Sequence, residues 1–244
     1  MDRPFFNFHS KLHEFHLFSK AHLLTIGIIL VVCVLIFVFR GKIEEKGSRT
    51  FFRFFFAILL IVTDTWQQLW LVHENAWRMK TALPLQLSDL VVIVAILMLL
   101  FKSHHLFQFV YYAGLGSSIQ AILTPDLNRF SFPHFQYIEF FVSHGGVILA
   151  CLLMIAAFHC RPTVASIWVT FLIVNLYGAL VFFFNKSLNA NYLYIMKKPE
   201  STSLLNFLGP WPWYLISLDI AMIISFYILY LPFWIKGEID VSEI

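Results

Sequence analysis

Charged residues are scarce in this chain. Asp, Glu, Lys and Arg make up 13% of its 244 residues, whereas 59% of the residues are hydrophobic. Soluble domains carry about 25% charged residues, so this composition excludes an ordinary cytosolic globule, and it also excludes disorder, which needs low hydrophobicity. The net charge of +3 gives no reason to expect a nucleic acid as partner. The composition therefore indicates a polytopic membrane protein.

Cysteine is scarce too. The three cysteines, Cys33, Cys151 and Cys160, are odd in number and form no CxxC pair. These features support neither a disulfide framework nor a zinc knuckle. We predict no cofactor and no metal.

Long apolar runs are what the sequence has in abundance. A helix needs about 20 apolar residues to cross a hydrocarbon core of about 30 Å, and a transmembrane barrel would show runs half as long with alternating polarity. We predict an all-α, seven-transmembrane-helix bundle over 21–235, an interfacial helix over 1–20 and a short tail over 236–244. The predicted spans are 21–39, 52–73, 84–101, 106–123, 136–159, 164–184 and 213–234.

The basic residues predict an orientation. An odd number of spans places the termini on opposite sides, and five basic residues lie in or beside the first hairpin, over 40–53. Basic loops near the first helix usually stay in the cytoplasm. We therefore expect the N-terminus outside and the C-terminus in the cytoplasm.

Unusual loops lie on the N-terminal side, at 83–89, 124–135 and 191–214. Loops rich in Pro, polar and aromatic residues often carry function. With the polar residues inside the spans, they predict a polar cavity that opens on the N-terminal side. The candidate substrate-binding residues there are Gln86, Asp126, His134, Asn191, Tyr192, Lys198, Trp211 and Trp213.

Polar residues inside the spans are costly in a membrane and therefore indicate a site. Asp64 and Gln68 share one face of the second span, and His144 lies deep in the fifth. A buried histidine is a candidate proton carrier. A structural hydrogen bond to Asp64 or Gln68 is the alternative, and the sequence leaves both open.

Ser88 lies about one turn into the third span. A hydroxyl at this depth, with a histidine elsewhere at similar depth, could form a Ser–His nucleophile pair. Asp64 or Asp89 could then orient the imidazole, with Gln68 in support. A serine that only caps the helix or bonds the backbone is the alternative.

Three N-terminal histidines, His9, His13 and His16, follow an i, i+4, i+7 spacing that could present three imidazoles to a metal. They alternate with phenylalanines, so an aromatic helix lying on the bilayer explains the pattern at least as well.

Several strings resemble the bacterial YwaF-like integral membrane family, which is related to the vertebrate transmembrane protein 164. They are LPLQLS, GL-x-x-x-x-QAI-x-TPDL at 114–127, FPHF followed by HGG, and N-x-NY-x-Y-x-x-x-KP followed by SLL-x-x-LGPWPWY. The resemblance covers roughly residues 15–235 and implies a bacterial cell membrane as the location.

The resemblance also implies a chemistry. The vertebrate relative is described as moving an acyl chain from a phospholipid to a lysophospholipid through an acyl-cysteine and a histidine. The cysteine position matches Ser88 and the histidine position matches His144. Ser88 in place of the cysteine leaves three alternatives open. The chain could be a working serine variant, it could carry a serine introduced by engineering, or it could be a relative with lost or changed activity.

We therefore expect an acyltransferase-like protein with membrane phospholipids as partners and Ser88 and His144 as catalytic residues. A non-catalytic seven-helix protein that binds a lipid or small molecule, as a receptor or carrier, is the alternative. A lasting acyl–protein adduct would separate the two.

Overall fold

The fold is known from a computed structural model that describes residues 5–9, 14–198 and 204–242. These residues form helices joined by loops, with one π-helical turn. The helices are α1 Lys20–Val38, α2 Arg40–Ile43, α3 Lys46–His73, α4 Leu87–Phe101, α5 His104–Phe109, α6 Leu115–Leu123, α7 Phe135–Phe158, α8 Val164–Leu188 and α9 Trp213–Ser242. The π-helical turn Val110–Gly114 joins α5 and α6 into one crossing.

Six of these crossings are long and apolar enough to span a membrane, within the described residues. They confirm a helical polytopic membrane protein. The exception is α4, which has 15 residues and a length of about 22 Å at 1.5 Å per residue. The predicted span began at residue 84, but Pro84 lies before the helix, and the Gln86 N–H donates to Asp89 Oδ2 (2.9 Å), which caps the helix at Leu87.

Two further boundaries differ from the prediction. α3 begins at Lys46, not at 52, because its polar first turn extends the helix beyond the apolar run. α9 continues to Ser242, so the predicted tail at 236–244 is helical as far as the backbone is described. Apolar content alone does not set the end of a helix, since the backbone hydrogen bonds of a helix extend into water.

The helix α7 lies at the centre of the bundle, where it packs against α1, α3, α4 and α6. The helices α8 and α9 pack on each other and against the α5–α6 crossing. At the end of the bundle where α3 begins, the buried Arg53 guanidinium donates to the carbonyls of Leu99 (2.8 Å) and Leu100 (3.0 Å) in the last turn of α4. The cation thus satisfies carbonyls that no helical partner reaches. Because α3 begins where α4 ends, the two helices run antiparallel.

Small residues let α7 approach its neighbours closely. A Cβ on Gly146 would lie 3.0 Å from Leu60 Cδ2 of α3, and a Cβ on Gly145 would lie 3.4 Å from Ile29 Cδ1 of α1. Membrane helices associate through such packing, since hydrocarbon supplies no hydrophobic drive. Gly145-Gly146 therefore sets the positions of α1 and α3 on α7.

The N-terminal segment corrects the predicted interfacial helix over 1–20. Residues 5–9 and 14–19 form turns and irregular chain, and α1 begins at Lys20; residues 1–4 and 10–13 lie outside the described part. The Phe135 N–H donates to the Phe5 carbonyl (2.9 Å), and the Phe15 N–H donates to the Asn128 carbonyl (2.6 Å). Backbone groups of this segment thus form hydrogen bonds with other parts of the chain and not within a helix of their own. We call residues 5–9 and 14–16 the N-terminal strap.

Substitution of Gly146 tests the helix contact. Gly146→Val should destabilise the protein by about 1–3 kcal/mol, because the new methyl groups overlap buried Leu60. Gly178→Val in α8 is the matched control, because a Cβ there meets nothing within 4 Å. Thermal unfolding in a non-ionic detergent measures both. Equal losses in the two variants would contradict a close α3–α7 contact.

Candidate functional site

The loops on the N-terminal side meet at one end of the bundle. The buried Tyr192 hydroxyl accepts a hydrogen bond from the Leu83 N–H (2.9 Å) and donates one to the Met79 carbonyl (2.7 Å). The side chain of buried Asn185 donates to the Tyr192 carbonyl (2.9 Å) and accepts from its N–H (2.8 Å). The end of α8 is thereby fastened to the loop that leads into α4.

Two further predicted substrate-binding residues hold the same loops. Gln86 Oε1 accepts from the Leu193 N–H (2.9 Å). Asn191 Oδ1 accepts from the N–H groups of Met196 and Lys197 (both 3.1 Å). The structure therefore gives Gln86, Asn191 and Tyr192 hydrogen bonds that hold the loops, which a prediction of substrate contacts did not anticipate.

Asp126 joins the third loop to this face. The Tyr194 hydroxyl donates to Asp126 Oδ2 (2.8 Å), and Asn128 Nδ2 donates to Asp126 Oδ1 (3.0 Å). Burial, followed by the charge of Asp126, raises the pKa of Tyr194. The Tyr214 hydroxyl in turn bonds the Tyr194 carbonyl, so the start of α9 belongs to the same network.

The strap crosses the ends of α3 and α7. Trp70 Nε1 donates to the Phe6 carbonyl (2.6 Å), and the Phe8 N–H donates to Glu74 Oε2 (3.0 Å). Buried His134 caps α7 by accepting from the Gln136 N–H (3.1 Å). Its Nε2 donates to a strap carbonyl, that of Asn7 (3.2 Å), and burial lowers its pKa. His134 therefore has both ring nitrogens engaged.

An open cavity of about 410 Å³ lies on this face beside the strap. Its walls come from the segment between α6 and α7 and from the first turn of α7. The lining residues are Asp126, Leu127, Asn128, Arg129, Phe130 and Gln136. Phe8 of the strap contacts the rim, with its ring centroid 5.8 Å from that of Phe130.

Ser88 lies on the inward face of α4. Val92 and Ala95, at i+4 and i+7, are both buried on that face. Within the described residues, the Ser88 hydroxyl makes no hydrogen bond to a cap or to the backbone. Among the described residues, the structure therefore shows neither the capping role nor the backbone hydrogen bond that the sequence offered as the alternative for this serine.

His144 has one ring nitrogen engaged. Nδ1 lies 2.9 Å from the Phe140 carbonyl, which can only accept, so Nδ1 carries the proton. Nε2 of the neutral ring then has a lone pair, and it makes no hydrogen bond to any described residue. Gln68, one of the two expected partners, instead accepts from Trp77 Nε1 (3.0 Å).

The structure does not bring Ser88 and His144 into a hydrogen bond. His144 precedes Gly146 by two positions, about 200° around the helix, and Gly146 faces α3. His144 therefore points away from α3 and from Asp64. The orienting position at Nδ1, which the sequence suggested for Asp64 or Asp89, belongs to the Phe140 carbonyl.

Three carboxylates converge instead. Asp64 of α3, Asp89 of α4 and Glu139 of α7 are near enough to interact electrostatically. Glu139 is buried and accepts a hydrogen bond from Gln136 Nε2 (3.2 Å). Sequence analysis missed Glu139, although an acidic residue inside an apolar span was a sufficient signal.

The remaining predicted residues lie at the edge of this face. Trp211 and Trp213 are 55% and 64% exposed, and Trp211 Nε1 donates to the Ile195 carbonyl (3.2 Å). Lys198 Nζ lies 5.4 Å from the ring centroid of Tyr214.

The N-terminal histidines do not share a helical face. His9 and His16 lie in non-helical chain, and His13 lies outside the described residues. Across the ranges that the structure describes, no His, Cys, Asp and Glu side chains are grouped to hold a metal.

These features define a multi-pass helical membrane protein whose loops interlock over one end of the bundle, beside a polar cavity. The sequence profile of the TMEM164 family matches residues 17–230, and the chain belongs to that family. No curated protein and no solved structure matches the chain. The narrower YwaF-like assignment and a bacterial origin stay predictions.

The strap should respond to acid. Its hydrogen bond from Phe8 is the main reason why the pKa of Glu74 is lowered; His73 and His9 add to the shift, and burial opposes it. A lowered pKa means that the stabilisation is present above the unfolded value of about 4.3 and is lost as the pH falls through the folded value.

We therefore expect faster hydrogen exchange at the Phe8 amide when the pH drops from 7 to below 4, after correction for the intrinsic rate. Glu74→Gln keeps an acceptor but does not titrate, so its corrected rate should not change with pH. Mass spectrometry of peptides from the N-terminal segment measures both proteins. The same pH response in Glu74→Gln would contradict this account.

Proposed function

We propose that this protein transfers a fatty acyl chain between a phospholipid and a lysophospholipid, in the leaflet that faces the N-terminal side. Membership of the TMEM164 family supports the proposal. The observation that carries it is that Ser88 Oγ and His144 Nε2 are both without a hydrogen-bond partner among the described residues. Polar atoms that serve only the fold inside a membrane are normally paired, whereas the Ser88 hydroxyl is unpaired and His144 is paired at Nδ1 alone.

In the first half of the proposed reaction, the Ser88 oxygen attacks the ester carbonyl of the donor phospholipid. The Ser88 proton passes to His144 Nε2, the ester C–O bond breaks, and the lysophospholipid leaves with the proton from the imidazolium. An acyl–serine ester remains. In the second half, the hydroxyl of an acceptor lysophospholipid attacks that ester by the reverse steps, and Ser88 is regenerated.

The tautomer of His144 suits this role. A backbone carbonyl at Nδ1 fixes the proton there and leaves the Nε2 lone pair as the base. A hydroxyl is a weak nucleophile without such a base, so serine chemistry depends on His144 more than cysteine chemistry would. Hydrogen bonds between catalytic groups often form only with substrate in place, and we propose this for Ser88 and His144.

A non-catalytic lipid- or small-molecule-binding protein is the second candidate. It is favoured by the position of His144 on the face of α7 turned away from α3, and by the absence of a Ser88–His144 hydrogen bond among the described residues. In this case the cavity and the carboxylates near α4 would bind a ligand that is released unchanged. For either candidate, we propose that the N-terminal side of the bundle, with the site, faces the outside of the cell.

Acyl transfer separates the candidates. Protein in lipid nanodiscs receives a phospholipid with an isotope-labelled acyl chain and an unlabelled lysophospholipid, and mass spectrometry follows the label. We expect Ser88→Ala and His144→Gln each to lower the rate by about 100-fold or more, because each removes one member of a nucleophile–base pair. Ser88→Cys should retain transfer, since a thiol needs less activation.

Ser187→Ala is the matched control. Ser187 lies in the last turn of α8 on the same side, where its hydroxyl only bonds the Phe183 carbonyl (3.0 Å). Its transfer rate should equal that of the wild type. Wild-type turnover in Ser88→Ala would rule out the covalent mechanism, and no transfer by any variant, Ser88→Cys included, would favour the binding protein.

A further inference from the structure

The cavity on the N-terminal face contains one strong cation. Arg129 lines it, and no described carboxylate lies within the 4 Å of a salt bridge to its guanidinium. The guanidinium lies 4.5 Å from the ring centroid of Phe8 and 5.1 Å from that of Phe130. Two aromatic rings thus hold the charge in place without neutralising it.

The position of the cavity in the fold matches the head-group layer of a bilayer. Arg129 lies on the short segment between the end of α6 at Leu123 and the start of α7 at Phe135. Both helices are membrane crossings, so the segment lies at the membrane surface. An arginine with its fork of donors is well suited to the oxygens of a phosphate at this level.

We infer that this cavity binds the phosphate of a phospholipid head group and that Arg129 is its ligand. The inference rests on the proposed function, because it names the part of the site that would hold the donor or acceptor lipid. It places the head group at the segment between α6 and α7 and not at Lys198, which the sequence named only as a candidate substrate-binding residue. Lys198 stays at the edge of the face beside Tyr214.

One hydrogen bond and one electrostatic interaction connect the cavity to the first turn of α4, where the proposed nucleophile lies. Gln136 lines the cavity and donates to Glu139 Oε2 (3.2 Å). Glu139 interacts electrostatically with Asp89, which follows Ser88 in the first turn of α4. A lipid whose phosphate is bound at Arg129 would thus have its ester groups on the membrane side of the cavity, towards the depth of Ser88.

Binding can be measured without any turnover. Purified wild-type protein in a non-ionic detergent is titrated with three probes and followed by native mass spectrometry. The probes are dihexanoylphosphatidylcholine, dihexanoylglycerol with the same chains and no phosphate, and inorganic phosphate. We expect the phosphatidylcholine to bind more tightly than either of the others, because it alone supplies both phosphate and acyl chains.

Arg129→Gln should weaken the binding of dihexanoylphosphatidylcholine by about 10- to 100-fold, as expected for loss of a charged hydrogen bond. Arg129→Lys keeps the positive charge but loses the paired N–H donors of the guanidinium. Its affinity for the lipid should therefore lie between that of Arg129→Gln and that of the wild type. Lys80→Gln is the matched control, since Lys80 is an exposed cation on the same side that does not line the cavity. Thermal unfolding of each variant shows whether it is folded.

Each outcome decides the inference. Unchanged phosphatidylcholine binding in folded Arg129→Gln overturns it, and so does equal binding of dihexanoylglycerol. Inorganic phosphate that binds as tightly as the lipid, and depends on Arg129, overturns the lipid source and indicates a free-anion site. If lipid binding depends on Arg129 but no acyl transfer occurs, the head-group site is supported and the proposed function fails. If transfer is normal and Arg129→Gln binds the lipid as the wild type does, the proposed function is supported and the head-group site fails.

Discussion

The close packing of α3 against α7 at Gly146 determines most of the arrangement described above. With no side chain on Gly146, Leu60 packs directly on the backbone of α7, and the two helices run side by side over the bundle. This alignment places Trp70 next to Phe135, with ring centroids 5.3 Å apart, where both helices end. The strap needs both ends together, because it bonds Trp70 and Phe135 at once.

The same alignment explains why polar groups collect on one side of α7. Asp64 lies one turn beyond Leu60, and Glu139 lies two turns before Gly146, so antiparallel packing brings the two towards each other. The face of α7 with His144 lies on the other side.

A second constraint on the structure is that buried backbone and side-chain polar groups must be paired, and the loop residues satisfy it. Tyr192, Asn185 and Gln86 meet it by joining the end of α8 to the entry of α4. The loop motifs that stand out in the sequence therefore serve in large part to hold the helix ends and loops together. The cavity lies among them. Asp126 and Asn128 of its lining take part in the pairing, whereas the Arg129 guanidinium packs on the rings of Phe8 and Phe130.

Composition and apolar run length were enough to predict the helical membrane fold, because hydrocarbon permits few other structures. They could not predict that Asp89 starts α4 at Leu87, since a cap overrides hydropathy locally. The N-terminal aromatic pattern was misinterpreted as a helix. Periodicity cannot show that the Phe6 carbonyl accepts a hydrogen bond from Trp70 of α3, or that the Phe8 N–H donates to Glu74 at the end of α3. Arg129 was missed because its importance depends on contacts between distant segments, whereas Glu139 could have been recognised as an acidic residue inside an apolar span.

The central claim is a covalent acyl–serine at Ser88, and peptide mass spectrometry tests it most directly. After incubation with a phospholipid carrying an isotope-labelled acyl chain and no acceptor, trypsin cleavage at Lys80 and Lys102 releases residues 81–102. This peptide contains only two hydroxyl side chains, Thr81 and Ser88. The account predicts the labelled acyl mass on Ser88, located by fragmentation, and none in Ser88→Ala. A peptide without label in a wild-type protein that still transfers the chain would contradict it.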